Sequence, residues 1–94
     1  MKTEREKMVA GQFYIAADPE LRHMRKTARQ QMQVFNNELD GAKRSEILKT
    51  LFGKTGNRIY MEPNFYCDYG SNIHVGEDFY ANFNCTMLDV CPIR

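Results

Sequence analysis

The sequence predicts an α+β fold with two parts. An N-terminal helical segment, residues 1–58, is followed by the first coils of a left-handed parallel β-helix, residues 59–94. In the first part apolar residues recur at steps of three and four, as in amphipathic helices. In the second part they recur at every sixth residue, between Gly and Asn residues. A chain of 94 residues is too short for two independent cores, so the two parts are expected to pack as one unit.

Three helices are predicted in residues 1–58. A short one over 3–10 ends at Gly11, a residue type that often follows a helix C-terminus. A longer one begins with Asp18 as N-cap and Pro19 at the first position, and the third covers 42–52 and stops at Gly53. The apolar stripes are Leu21, Met24, Ala28, Met32, Phe35 and Leu39 on the long helix, and Ile47, Leu48, Leu51 and Phe52 on the third.

Residues 59–94 form a repeat of period six. One apolar column consists of Met61, Cys67, Ile73, Phe79, Cys85 and Cys91, a second of Pro63, Tyr69, Val75, Ala81, Met87 and Ile93. Gly or Asn follows four members of the second column, as turn residues would. In a triangular left-handed β-helix three hexads close one coil. The sequence therefore predicts about two coils, with each residue stacked on the residue eighteen positions earlier.

The three cysteines are predicted to lie in one inward column, with Cys67 and Cys85 as stacked neighbours. Buried thiols are poor nucleophiles, because burial disfavours the thiolate. A zinc site would need a fourth ligand, and only His74 is near in sequence. His23 is expected on the surface of the long helix. Core packing is therefore the preferred role of the cysteines, and no metal is expected.

Charge separates the two parts of the chain, although the net charge is only +1. Lys and Arg predominate in residues 1–58, whereas residues 59–94 combine five acids with most of the aromatic residues. Nucleic-acid sites place aromatic rings beside basic residues, so no nucleic-acid partner is expected. Rings beside Asp and Asn suit a neutral polyhydroxyl ligand, and a solvated acidic face is the alternative. The basic, Met-containing long helix is compatible with a solvent-exposed face or with a partner- or membrane-binding element.

No membrane-spanning segment is expected, since no apolar run reaches the roughly 20 residues that a membrane helix needs. The charged start MKTEREKM does not have the apolar region of a signal peptide. The expected location is therefore cytoplasmic.

The chain resembles the maltose and galactoside O-acetyltransferases of the hexapeptide-repeat acyltransferase superfamily. The matching stretches are EREKMVAGQFY at 4–14, ADPELR at 17–22 and EPNFYCDYGSNIHVGEDFYANFNCTMLDVCPI at 62–93, together with the helices between them. The segments CDYG and LDVCPI are closer in sequence to the maltose type than to the galactoside type. The resemblance implies acetyl transfer from acetyl-CoA to a hydroxyl of a sugar such as glucose or maltose. It also implies a homotrimer with sites between neighbouring β-helices.

The resemblance assigns acceptor-binding roles to Asp68 of CDYG and Asn82 of ANFN. Tyr80 is expected to flank the site, and Asp89 is a further substrate-binding candidate. Two family positions differ here. Ala16 stands where galactoside-type enzymes have an acceptor-binding Asp, and Val90 stands at a second such position, one residue after Asp89.

No catalytic residue is assigned within the chain. In the family the general base is a histidine in a segment beyond the position of Arg94, and the CoA contacts lie further on. His74 does not match that position. The 94-residue chain is therefore expected to be part of an acetyltransferase and inactive alone. Two alternatives remain: a non-catalytic assembly or binding module, and an acetyltransferase for a non-sugar acceptor.

Overall fold

The computed structural model describes residues 2–94, in which three helices precede four short strands. The helices are α1 (Glu4–Val9), α2 (Pro19–Asn37) and α3 (Gly41–Leu51), and the strands are β1 (Ile59–Met61), β2 (Phe65–Cys67), β3 (Phe79–Ala81) and β4 (Cys85–Met87). No helix within this part of the chain has both the length and the apolar character needed to cross a bilayer.

Local hydrogen bonds at the helix ends explain where the helices begin. Thr3 and Glu6 form a reciprocal capping box at the start of α1, and Gly11 follows its end with a φ of 76°. The Asp18 carboxylate accepts the N–H groups of the first turn of α2, as predicted. Asp40 does the same for α3, a cap that the sequence pattern did not reveal.

The apolar stripe of α2 is confirmed except at its last member. Leu21, Ala28, Met32 and Phe35 are buried. Leu39, however, is 94% exposed and lies outside the helix. The cause is the connection to α3. Because the Asp40 cap starts a new helix three residues after Asn37, the chain must turn extended at Glu38, and this ends the stripe.

All strand pairs are parallel, and every pair joins residues twenty positions apart. In the β1–β3 pair Ile59 is the partner of Phe79, and in the β2–β4 pair Phe65 is the partner of Cys85. Two isolated bridges, Lys54–His74 and Ile73–Ile93, have the same offset. The chain thus completes one circuit in twenty residues, a first circuit over 54–73 and a second over 74–93, and the predicted offset of eighteen is wrong.

The two additional residues of each circuit lie at one corner. Paired positions are six residues apart from 54 to 60 and from 60 to 66, but eight apart from 66 to 74. We call residues 68–72 and their counterparts 88–92 the long corner. The corner after β1 and β3, residues 62–64 and 82–84, is the short corner.

The longer circuit changes the neighbours of the cysteines. Cys67 stacks on Met87, and Cys85 stacks on Phe65, so the predicted Cys67–Cys85 stack is wrong. Cys91 is exposed rather than inward, because it lies in the long corner, where the period of six is interrupted. Cys67 is buried and Cys85 half-buried against the main core, as predicted for core residues.

Candidate functional site

The four predicted substrate-binding residues lie in two separate places. Asp68 and Asp89 belong to the long corner, whereas Tyr80 lies on β3 and Asn82 at the short corner. From Asn82 to Leu88, the second-circuit counterpart of Asp68, the chain passes through a turn at residues 83–84 and then β4, whose three residues span about 10 Å. A single chain therefore does not bring Asp68 and Asn82 together.

Asp68 is half-buried at the start of the long corner, beside the exposed edge of α2. Burial raises the pKa of Asp68, and the charge of Asp89 raises it further, while Arg25 and Arg29 of α2 oppose the shift. The charges that act on this carboxylate are thus those of one buried acid and two guanidinium groups. Such a group is placed to accept hydrogen bonds from a ligand's hydroxyls, because only its backbone N–H is bonded within the corner.

Asp89 is fully buried and holds the long corner from within. Its Oδ1 accepts the N–H groups of Asp68 at 3.1 Å and Tyr69 at 2.9 Å, and its Oδ2 accepts that of Asn72 at 3.2 Å. The Asn72 amide donates in return to the Asp89 carbonyl at 2.8 Å. These bonds connect the second circuit to the first. They also use both carboxylate oxygens, so a substrate contact of Asp89 stays a prediction without support from its geometry.

Arg25 is a site residue that the sequence pattern did not single out. It lies on the face of α2 that was expected to be solvent-exposed, but it is half-buried. Its Nη1 donates to the Tyr69 hydroxyl at 2.9 Å and its Nη2 to the Ala16 carbonyl at 2.9 Å. Arg25 therefore joins the loop after α1 to the long corner, and Ala16 is brought next to the corner that carries Asp68.

At the other place, Tyr80 and Asn82 point outward from the second circuit. The Tyr80 ring is 60% exposed and stacks on Tyr60 of the first circuit, with centroids 5.6 Å apart. The Asn82 side chain is exposed, and its Oδ1 accepts the N–H of Phe83 at 2.9 Å. That bond is typical of a turn residue, and it leaves the Asn82 amide N–H₂ free to donate within the described chain.

Within residues 2–94 neither histidine is bonded to these groups, although His23 lines a cavity together with Tyr69 and Ser71 of the long corner. His74 comes two residues after the long corner and forms a parallel bridge with Lys54. His23 is exposed on α2. Neither side chain takes part in a hydrogen bond or ion pair among residues 2–94. In the same range, no three His, Cys, Asp or Glu side chains are grouped to hold a metal ion. Burial raises the pKa of Cys67 to about 12, with Asp89 and Asp68 adding to the shift, so this thiol is not a nucleophile at neutral pH.

Side chains of α2 and α3 cover the outer edge of the first circuit. The Asn36 amide bonds both backbone groups of Phe65, as a neighbouring strand would, at 2.8 and 3.1 Å. The Ser45 hydroxyl donates to the Ile59 carbonyl at 2.6 Å, and Met32 Sδ accepts the Cys67 N–H at 3.1 Å. The helices therefore cap the strands, because they satisfy an edge that would otherwise be open to another chain.

This capping segment matches a known sequence family. Residues 7–56 match the maltose acetyltransferase hexapeptide capping motif. The chain belongs to this capping-motif family. A Dictyostelium discoideum protein named as an acetyltransferase is 55% identical over 91 residues, which are 97% of this chain and 48% of that protein.

Solved structures of capping-motif relatives have the same fold as this chain. A maltose O-acetyltransferase from Clostridium difficile superposes with a TM-score of 0.95 at 47% identity, covering 99% of this chain and 51% of that one. A hexapeptide-repeat acetyltransferase from Vibrio cholerae, solved with acetyl-CoA, superposes with a TM-score of 0.87 at 33% identity. The match covers 97% of this chain and 50% of that one. The chain spans about half the length of the curated relatives it matches.

Proposed function

We propose that this chain is the acceptor-binding part of an acetyl-CoA-dependent O-acetyltransferase that acts on a sugar such as glucose or maltose. The observation that carries the proposal is Asp68, a half-buried carboxylate held at a rigid corner beside two arginines. A carboxylate can accept hydrogen bonds from two adjacent sugar hydroxyls. The names of the relatives support both the reaction and the sugar. A cytoplasmic location remains a prediction.

We further propose that the two circuits are the first coils of a left-handed parallel β-helix. Parallel pairing at one constant offset on every side of the circuit supports this, as does the superposition on hexapeptide-repeat acetyltransferases. The division into a helical segment, residues 1–58, and a β-helix, residues 59–94, remains a prediction; the Lys54–His74 bridge lies close to this boundary.

A homotrimer with sites between neighbouring chains accounts for the separation of Asp68 and Asn82. Since one chain keeps them at different corners of the circuit, a shared sugar would contact Asp68 of one chain and Asn82 of the next. The outer surface of the circuits supports an interface. Large apolar side chains there are more than half exposed, namely Tyr80, Phe83 and Leu88.

In this mechanism Asp68 accepts the hydrogen bond of a hydroxyl next to the reacting one and so orients the sugar. Acetyl-CoA supplies the thioester carbon that the reacting hydroxyl oxygen attacks. The C–O bond forms, the C–S bond breaks, and the hydroxyl proton passes to a general base and then to the leaving thiolate. We propose that the base is a histidine in the half of the relatives that this chain does not cover, because neither His23 nor His74 is hydrogen-bonded to Asp68 or Asn82 within the described residues.

The test is acetyl transfer from acetyl-CoA to glucose and maltose, with the acetylated sugar detected by mass. The 94-residue chain is compared with a chimera in which it is joined to the second half of the Clostridium difficile relative. We expect product from the chimera only. Product from the 94-residue chain would require a base within it, and no product from either protein would contradict the proposed function.

A further inference from the structure

A cleft runs along the outer face of β2, between that strand and the exposed edge of α2. Its volume is about 650 Å³. Arg29, Gln33 and Asn37 line the helix side at four-residue steps, which place them in one row. Asn64 and Tyr66 line the strand side. From residue 29 to residue 37 the row is about 12 Å long, since a helix rises 1.5 Å per residue.

One end of the cleft is next to Asp68 in the chain. Cys67, the residue before it, lies on the cleft wall, and Arg29 both lines the cleft and acts electrostatically on Asp68. The other end is at the short corner, where Asn64 lies. A ligand held by Asp68 could therefore extend along β2 without leaving the surface of the same chain.

Four polar side chains of the cleft have no partner within the described chain. Among residues 2–94, the side chains of Arg29, Gln33 and Asn64 and the Tyr66 hydroxyl take part in no hydrogen bond or ion pair. The Tyr66 ring is 51% exposed. Two amides of the lining are used: Asn37 Nδ2 donates to the Gln33 carbonyl at 2.7 Å, and the Asn36 amide bonds both backbone groups of Phe65.

We propose that this cleft is a second sugar subsite, which binds the ring next to the acetylated one in a di- or oligosaccharide. Carboxamides offer both donors and acceptors, as alternating sugar hydroxyls require. The Tyr66 ring offers a flat apolar surface for the C–H face of a pyranose. No carboxylate lines the cleft and a single arginine does, which suits a neutral chain of hydroxyls better than an ionic ligand.

This inference rests on the proposed function, and binding to the 94-residue chain tests the two separately. Glucose and maltose are titrated into the ¹⁵N-labelled chain, and amide shifts give the Kd of each sugar. We expect maltose to bind about fivefold more tightly than glucose, with shifts at Gln33 and Tyr66 from maltose only. Gln33→Ala and Tyr66→Ala should each remove this gain and leave the glucose Kd unchanged. Gln30→Ala, on the same helix but outside the cleft, is the matched control and should change neither Kd.

The outcomes distinguish the two proposals. If both sugars bind equally well, or if neither Gln33→Ala nor Tyr66→Ala lowers the maltose affinity, the subsite is wrong and the proposed function stands. If neither sugar binds the wild-type chain, both proposals fail. A maltose gain that Gln30→Ala removes as well would place the second ring outside the cleft and overturn the subsite.

Discussion

Replacing Asp89 with alanine should destabilise the whole chain through the long corner. The carboxylate accepts three backbone N–H groups, those of Asp68, Tyr69 and Asn72. Tyr69 and Asn72 are buried, so their N–H groups would lose their acceptor where water has little access. A buried donor left without a partner costs about 1–3 kcal/mol. We therefore expect the free energy of unfolding to fall by about 3 kcal/mol, out of about 5–15 kcal/mol for a domain of this size.

The assay is urea unfolding of the wild-type chain and of Asp89→Ala, followed by circular dichroism. A loss of about 3 kcal/mol moves the midpoint by about 2 M at an m-value of about 1.5 kcal/mol/M. Glu46→Ala is the control, because Glu46 forms only an exposed ion pair with Lys49 and should change stability by less than about 0.5 kcal/mol. A loss below about 1 kcal/mol for Asp89→Ala would refute the role of this carboxylate in the corner.

Three further predictions concern the same region. Gly70→Ala should cost about 2 kcal/mol or more in urea unfolding, because Gly70 has a φ of 79° and an added Cβ would meet the Leu51 carbonyl oxygen at 2.9 Å; an unchanged midpoint would contradict this. In a timed alkylation at pH 8 read by mass, exposed Cys91 should react before buried Cys67, whose pKa is raised to about 12; the reverse order would contradict the fold. Folding raises the pKa of Asp68 above its ordinary 3.8, so stability should fall as pH rises from about that value through the folded pKa. Asp68→Asn should remove this dependence and be at least as stable as wild type at pH 7; a less stable variant would contradict the raised pKa.

The period of six was readable from the sequence because the strands are short and each buries the same two positions. Met61, Cys67 and Ile73 of the first predicted column are buried, but so is Phe65, which belongs to neither predicted column. The length of the circuit was not readable. Its two additional residues lie at the long corner, where Tyr69 and Asn72 are buried like core residues and conceal the interruption. The stacking of Cys67 was predicted wrongly for that reason.

The site was predictable only where residue type alone identifies a role. Asp68 was found through a motif, and the structure gives it the partly buried, charged surroundings of a binding group. Asp89 was named by the same kind of match, but only the fold shows that its oxygens face the backbone. Arg25 lies on the basic face of α2, for which the sequence left solvent exposure and partner or membrane binding open. Its contacts with Ala16 and Tyr69 cross 9 and 44 residues, which no local pattern can predict.

The central claim is that Asp68 binds the sugar acceptor, and steady-state kinetics of the chimera test it most directly. Asp68→Ala should raise the KM for maltose at least about tenfold, as expected for the loss of one or two charge-assisted hydrogen bonds. The KM for acetyl-CoA should stay unchanged. An unchanged KM for maltose, or an equal rise of both KM values, would contradict the assignment of Asp68 to the acceptor.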